Sequence, residues 1–161
     1  MTILLEAKNL SVSFDTKKGR LHALDNVNLQ LKKGETLGLV GESGSGKSTL
    51  ALALMRAVKP SQGSITLKER EISHLSRRAL RPFRQVMQMI FQDPYASLDP
   101  RMTVRRIITE PLTALQNLKS DEIEERLQGL LAAVGLPDEA ADRRPAQFSG
   151  GQRQRIAIAR A

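Results

Sequence analysis

The chain has 161 residues, about the length of one ordinary domain, and its 40% hydrophobic and 26% charged residues exclude wholesale disorder. The absence of cysteine excludes a disulfide framework and any thiolate zinc site. Lys and Arg (25) outnumber Asp and Glu (17), and the net charge of +8 favours an anionic partner such as nucleic acid, an anionic membrane surface or a phosphorylated small molecule. No apolar run has the length of a membrane span and no signal-peptide pattern is evident, so we expect a cytosolic protein with no direct membrane insertion.

The first predicted element is a β-hairpin. In two stretches of the chain, apolar side chains alternate with polar ones at the period of half-buried strands. The alternating apolar residues are Leu10, Val12 and Phe14 in the first stretch and Val27, Leu29 and Leu31 in the second. Residues 15–20 are predicted to form the polar turn between the two strands.

Four further elements are predicted between the hairpin and residue 91. Residues 36–40 form a short apolar run typical of a buried strand. A helix is expected over residues 47–58, which contain strong helix formers and neither Pro nor Gly. Residues 63–68 alternate again and residues 86–91 are apolar, so both are predicted to be strands.

The second half of the chain is predicted to be helical. Asp121 followed by Glu124 indicates a helix start, and Gly135 stands where a helix C-terminal glycine would. The apolar stripe of this helix consists of Ile123, Leu127, Leu130, Leu131 and Val134. A last helix is expected to begin at Ser149. Strands followed by a helical block predict an α/β fold with a helical insertion.

Residues 41–49 match the phosphate-binding pattern G-x-x-x-x-G-K-[ST] in full. The residues of this loop are Gly41, Glu42, Ser43, Gly44, Ser45, Gly46, Lys47, Ser48 and Thr49. Glycines let backbone N–H groups curl around phosphate oxygens, and the helix that begins at Lys47 adds its positive dipole end. Lys47 can reach the β- and γ-phosphates, and the Ser48 hydroxyl is placed to ligate Mg²⁺. The loop therefore predicts a nucleoside triphosphate site.

A second pattern begins the last predicted helix, at Ser149, Gly150, Gly151 and Gln152. On local grounds alone, Ser149 and Gln152 can form a capping box. That interpretation leaves the two glycines unexplained, although each costs about 0.8–1 kcal/mol relative to Ala in a helix. The alternative is an anion that approaches bare backbone at the positive helix end. From the residues alone, both interpretations stay open.

Taken together, these motifs resemble the ATP-binding subunits of ABC transporters. Residues 148–152 are similar to the signature motif of that family, with Phe148 in place of the usual Leu. Gln92, which follows a predicted strand, is similar to the glutamine of the family's Q-loop. Residues 90–104 resemble the oligopeptide and dipeptide importer branch. The order of the motifs is that of the family, and the resemblance covers essentially the whole chain.

The resemblance implies roles for the residues that would contact the nucleotide bound by the same subunit. Phe14 would stack on adenine, unless it belongs to the core of the hairpin. The loop at residues 41–49 would hold the phosphates of ATP, with Lys47 as a catalytic residue and Ser48 as a ligand of Mg²⁺. Gln92 would contact the Mg²⁺ ion, take part in catalysis and report to the membrane subunit.

The resemblance also implies partners. Residues 149–152 would contact the γ-phosphate of ATP bound to an opposing subunit, so the active unit would be a head-to-tail dimer. Tyr95 and Leu98 would contact a cytoplasmic helix of the transmembrane permease subunits, unless they pack locally. The protein would then lie peripherally on the inner, cytoplasmic face of the cell membrane. No nucleic-acid partner is expected, because the basic residues form separate groups without a recognition module.

The resemblance implies a P-loop NTPase core of the ABC type with an antiparallel β subdomain and a helical subdomain, incomplete at the C-terminus. Residues 1–93 would form the β subdomain and ATP-binding core, residues 94–148 the helical subdomain and residues 149–161 the signature helix. The chain ends before the acidic strand of the family, and the carboxylates and switch His that follow it there are absent. We therefore expect no detectable hydrolysis by this chain alone, together with exposed apolar faces and unpaired strand edges.

Three alternatives compete with an ATP-binding subunit that drives peptide import. An ABC-type ATPase that acts on nucleic acid is disfavoured, because the chain has no cysteine-rich zinc module or long coiled coil. A GTPase or small-molecule kinase would not explain residues 149–152, and no guanine-reading N-K-x-D sequence is present. The third alternative is an inert remnant that binds nucleotide weakly or not at all.

Overall fold

The chain folds as two units, which a computed structural model describes over residues 2–93, 97–116 and 118–161. The first unit is Met1–Phe83 and the second is Arg84–Ala161. Strands lie in the first unit and most of the helices in the second, so the chain has the mixed α/β architecture that the sequence predicts. The finer boundaries expected after residues 93 and 148 stay predictions.

An antiparallel sheet with the strand order β2-β1-β3-β4 organises the first unit. Its strands are β1 (Ile3–Thr16), β2 (Gly19–Lys32), β3 (Gln62–Leu67) and β4 (Arg70–Glu71). The predicted hairpin is confirmed, and pairing continues to Thr16 and Gly19, so that only residues 17–18 form the turn. The predicted turn was too long because cross-strand main-chain hydrogen bonds continue through polar residues that lack the apolar alternation.

Helix α1 (Lys47–Leu54) follows the loop at residues 41–49 and contacts strands β1 and β2, and its buried residues are Leu50 and Ala53. The helix is one turn shorter than the predicted span of residues 47–58. Beyond it, Arg56 takes a positive φ of 54°, and its Nε donates a hydrogen bond to the Ile72 carbonyl oxygen at 2.9 Å. The chain therefore leaves the helix where the Arg56 side chain can reach the segment after β4.

Two apolar segments predicted to be strands, residues 36–40 and 86–91, adopt no regular secondary structure. Leu39 is 49% exposed, Val40 94% and Phe91 49%. Within the described residues neither segment pairs with a strand, and a strand without a neighbour gains neither ladder hydrogen bonds nor a covered face. These two strand predictions are wrong, whereas the exposure of apolar side chains that the resemblance implied is observed.

The second unit is a helical body. Its helices are α3 (Val104–Leu115), α4 (Ser120–Ala133) and α5 (Gly150–Arg160), and a single turn, α2 (Arg81–Arg84), precedes them. Two 3₁₀ turns, Asp138–Asp142 and Pro145–Gln147, connect α4 to α5. Their shared core includes Leu98, Ile108, Leu127, Leu131, Phe148 and Ile156. The guanidinium of Arg105 on α3 forms ion pairs with Glu124 on α4 and with Asp142, the latter at 3.1 Å.

The ends of α4 test the predicted helix signals separately. Gly135 has a φ of +66° directly after the helix, so the predicted C-terminal glycine is confirmed. The predicted start is wrong, because Lys119 is the N-cap residue and its N–H donates to the Glu122 carboxylate at 2.7 Å. The carboxylate of Glu124 is instead used by Arg105. No helix of the described residues is long and apolar enough to cross a membrane.

Candidate functional site

The loop at residues 41–49, the phosphate loop, contacts strand β2 at a bulge. The register passes from the Val12–Leu24 pair to the Ser13–His22 pair, so Ala23 is an extra residue in β2. Gly46, the N-cap residue of α1, has a φ of 92°. A Cβ atom on Gly46 would lie 2.7 Å from the Ala23 carbonyl oxygen and 3.0 Å from Leu24 Cδ2. Both the torsion and the contact require glycine at this position.

The ammonium group of Lys47 lies inside the curve of this loop. Its Nζ donates hydrogen bonds to the carbonyl oxygens of Gly41 at 2.7 Å and Glu42 at 2.5 Å. A third contact, at 3.3 Å, joins Nζ to the Ser45 hydroxyl. Phosphate oxygens are stronger acceptors for an ammonium than neutral carbonyls, because both partners are then charged. The side chain is thus held at a position from which it can transfer to an anion.

The first turn of α1 offers additional donors to an anion. Gly46 has no side chain, so no cap receives the first N–H groups of the helix. The Ser48 side chain is exposed in the same turn. Among the described residues no cluster of three or more His, Asp or Glu could hold a metal ion. A single hydroxyl fits Mg²⁺, which commonly keeps several waters and takes its other ligands from substrate phosphates.

Phe14 lies on the same hairpin that supports the loop. It pairs with Leu21 across the two strands, two residues beyond the buried Val12. Phe14 is 39% exposed and Leu21 57%, so the core interpretation of Phe14 is wrong. The exposed ring is available to a planar ligand, and its contact with adenine stays a prediction.

The segment at Ser149 forms the capping box that its sequence predicts. The Ser149 hydroxyl accepts a hydrogen bond from the Gln152 N–H at 3.3 Å, and Gln152 Oε1 accepts one from the Ser149 N–H at 3.0 Å. A Cβ atom on Gly150 or Gly151 would meet nothing within 4 Å. Packing among the described residues therefore does not require either glycine. The box explains Ser149 and Gln152 and leaves bare, exposed backbone between them.

The remaining predicted contacts lie around Gln92. Gln92 is exposed and belongs to the second unit, whereas the phosphate loop belongs to the first, so its contact with Mg²⁺ stays a prediction. Tyr95 lies outside the described residues. Leu98 is 3% exposed within the helical core, which confirms the local-packing alternative and makes the proposed permease contact of this side chain wrong.

Comparison with known proteins identifies the family. The family model described as ABC transporter matches residues 24–161. The chain belongs to the ABC transporter family. It is 52% identical over 149 residues to the oligopeptide transport ATP-binding protein AppF of Bacillus subtilis, covering 92% of this chain and 45% of AppF. It is 47% identical over 165 residues to the glutathione import ATP-binding protein GsiA of Pectobacterium atrosepticum, covering 98% of this chain and 26% of GsiA. The chain thus spans less than half the length of these two relatives.

A solved ABC cassette has the same fold. The dimeric post-hydrolysis structure of the ATP-binding cassette MJ0796, bound to ADP and Pi, superposes with a TM-score of 0.86 at 30% identity. The superposition covers 98% of this chain and 68% of MJ0796. The ABC fold inferred from the motifs is therefore confirmed.

Two features of these sites escape sequence reasoning. The bulge at Ala23 depends on the register between two strands, and no local residue pattern marks it. The Arg143 guanidinium lies 4.5 Å from the centroid of the Phe148 ring, directly before the capping box. The only signal in the sequence for that contact was the Phe at position 148, where the family that the chain resembles usually has Leu.

Proposed function

We propose that this protein is an ATP-binding subunit that powers an ABC importer of peptides or similar solutes. The observation that carries the proposal is the phosphate loop, in which the ammonium of Lys47 is held by the carbonyl oxygens of Gly41 and Glu42. The relatives support the substrate class, because AppF is an oligopeptide transport ATP-binding protein and GsiA is an ATP-binding protein of glutathione import, and glutathione is itself a short peptide.

ATP would bind along the first unit. The β- and γ-phosphates would lie in the loop at residues 41–49, against Lys47 and the first N–H groups of α1. Mg²⁺ would be held by Ser48 and the phosphate oxygens, and Gln92 would complete its surroundings. Adenine would stack on the exposed ring of Phe14, which lies on the strand next to the bulge that seats the loop.

The active unit would be a head-to-tail dimer with two ATP molecules at its interface. Exposed glycine backbone at the start of α5 supports this arrangement, since no described residue lies within 4 Å of a Cβ atom placed on Gly150 or Gly151. Ser149 and the first amides of α5 would then contact the γ-phosphate of the opposing subunit's ATP. The cassette MJ0796, which has the same fold, was solved as a dimer. Hydrolysis in this dimer would use Lys47 and Gln92 and would require a carboxylate that orients the attacking water.

The partners of such a subunit would be transmembrane permease subunits, which it would meet as a peripheral protein at the cytoplasmic face of the membrane. ATP binding and hydrolysis would then be coupled to solute import through these contacts. A second copy of the subunit, or a similar ATP-binding subunit, would complete the dimer.

Reconstitution tests this function. The protein, at its natural full length, is assembled with the permease subunits in proteoliposomes, and uptake of a labelled oligopeptide is followed with and without ATP. We expect uptake that depends on ATP and is lost in Lys47→Ala, while Lys59→Ala, which removes an equal charge at an exposed position outside the loop, retains it. Uptake at the same rate in both variants would contradict the proposal.

A further inference from the structure

The Arg143 side chain is exposed but makes defined contacts. One of its terminal nitrogens donates a hydrogen bond to the Gln147 carbonyl oxygen at 2.6 Å, and its guanidinium carbon lies 4.5 Å from the centroid of the Phe148 ring. The Arg143 carbonyl oxygen accepts a hydrogen bond from the Val104 N–H at 2.9 Å, at the first residue of α3. Because the Arg143 backbone is bonded to α3, its side chain links α3 to the 3₁₀ turn Pro145–Gln147, which precedes α5.

This turn leads directly into the capping box of α5. Phe148 is 5% exposed and belongs to the helical core, so the ring that Arg143 covers is itself fixed. From the other side, Arg153 on α5 donates its Nε–H to the Pro145 carbonyl oxygen at 2.7 Å. Two arginines therefore hold the carbonyl groups of the turn that sets where Ser149 and the first turn of α5 lie.

Accurate placement matters here because the groups offered to a ligand are mostly backbone N–H groups on glycines without side chains. Such donors cannot adjust by changing rotamer, so the position of the helix start determines whether they reach a phosphate. Arg143 is already engaged by Phe148 and Gln147, which leaves it poorly placed to bind the phosphate itself.

We propose that Arg143, stacked on Phe148 and bonded to the Gln147 carbonyl, is a positioning residue that holds the start of α5 for the γ-phosphate of the opposing subunit. This inference rests on the proposed function, in which residues 149–152 act across a dimer. It assigns to Arg143 an effect on ATP-driven dimerisation and none on the nucleotide affinity of the monomer.

The test uses the protein at its natural full length and two measurements. Affinity for a fluorescent ATP analogue is measured below the dimerisation concentration, and dimerisation with a non-hydrolysable ATP analogue is measured by analytical ultracentrifugation. We expect Arg143→Ala to weaken dimerisation about tenfold, since it removes a charged hydrogen bond and a cation–π contact. Monomer affinity should change less than about twofold. Arg144→Ala is the control, because it removes an equal charge at the adjacent position. It also keeps the backbone N–H of residue 144, which donates to Gln147 Oε1 at 2.8 Å.

Two further variants keep the test decisive if Arg143→Ala does not fold. Arg143→Lys retains the charge but lacks the planar group that stacks and donates together, so we expect partial loss of dimerisation. Phe148→Leu retains a buried apolar side chain and removes the aromatic face, with the same expected direction. Equal dimerisation in the Arg143 variants and Arg144→Ala would overturn the inference, as would a parallel loss of monomer affinity. Ser149→Arg distinguishes failure of the inference about Arg143 from failure of the proposed function. If Ser149→Arg left ATP-driven dimerisation intact, the proposed function would itself be wrong.

Discussion

Gly46→Ala perturbs the point where the phosphate loop meets strand β2. With a φ of 92°, the residue occupies a conformation that costs an L-residue roughly 1–2 kcal/mol. The new Cβ atom would also lie 2.7 Å from the Ala23 carbonyl oxygen, which belongs to the backbone and cannot rotate away. The loop must therefore shift, and overpacking of this kind adds about 1–3 kcal/mol. We expect the free energy of unfolding to fall by about 2–5 kcal/mol in total.

Gly44→Ala is the matched control for this substitution. Gly44 has a φ of +83°, but a Cβ atom there would meet nothing within 4 Å, so the change carries the torsional cost without the clash. Urea unfolding of both variants separates the cost of the backbone torsion from the cost of the clash with Ala23. Titration with a fluorescent ATP analogue should show at least about a tenfold loss of affinity in Gly46→Ala. Equal unfolding free energies for the two variants, or unchanged affinity in Gly46→Ala, would refute the contact with Ala23 as the element that seats the loop.

Two other predictions concern the adenine contact of Phe14 and the ion pair between Asp99 and Arg101. Phe14→Ala should weaken binding of ATP about tenfold while leaving binding of inorganic tripolyphosphate unchanged, because stacking on the base is lost and the phosphate contacts remain. Calorimetric titration with each ligand measures this difference. Equal losses of affinity for both ligands would contradict the adenine contact. Hydrogen bonds from the Arg101 side chain and backbone lower the pKa of Asp99 from 3.8 to about 2, so the stabilisation from this pair is present above about pH 4 and is lost as the pH falls towards 2. Asp99→Asn should therefore flatten the decline of the urea midpoint over that range, and an unchanged decline would show that the pair does not contribute.

Local patterns predicted the parts of the structure that depend on neighbouring residues in the chain. The capping box of Ser149 and Gln152 forms as expected, because both partners lie within one turn. The hairpin was predictable from alternation, and Gly135 from its need for a positive φ. The start of α4 was not, since Glu122 and Glu124 both offer a carboxylate near the helix start. The carboxylate of Glu124 is instead used by Arg105 of another helix and by Gln128 one turn later, and the contact with Arg105 depends on the folded unit.

Elements that depend on distant partners could not be predicted in the same way. Residues 36–40 have the composition of a buried strand, but a strand exists only where another strand pairs with it. The seating of Gly46 on Ala23 depends on a register shift between two strands, which composition does not encode locally. The phosphate loop could nevertheless be located from the sequence, because its glycines, Lys47 and Ser48 lie within nine consecutive positions, and its binding of ATP and Mg²⁺ stays a prediction.

The most direct test of the central claim, that residues 41–49 bind ATP, is calorimetric titration of the protein with a non-hydrolysable ATP analogue and Mg²⁺. The Lys47 ammonium is the full positive charge inside the loop, and a charged contact is worth about 1.5–3 kcal/mol, so Lys47→Ala should lose about ten- to a hundredfold in affinity or bind undetectably. Lys59→Ala, at an exposed position outside the loop, should bind as the unaltered protein does. Affinity in Lys47→Ala within about twofold of the unaltered protein would contradict the assignment of the site.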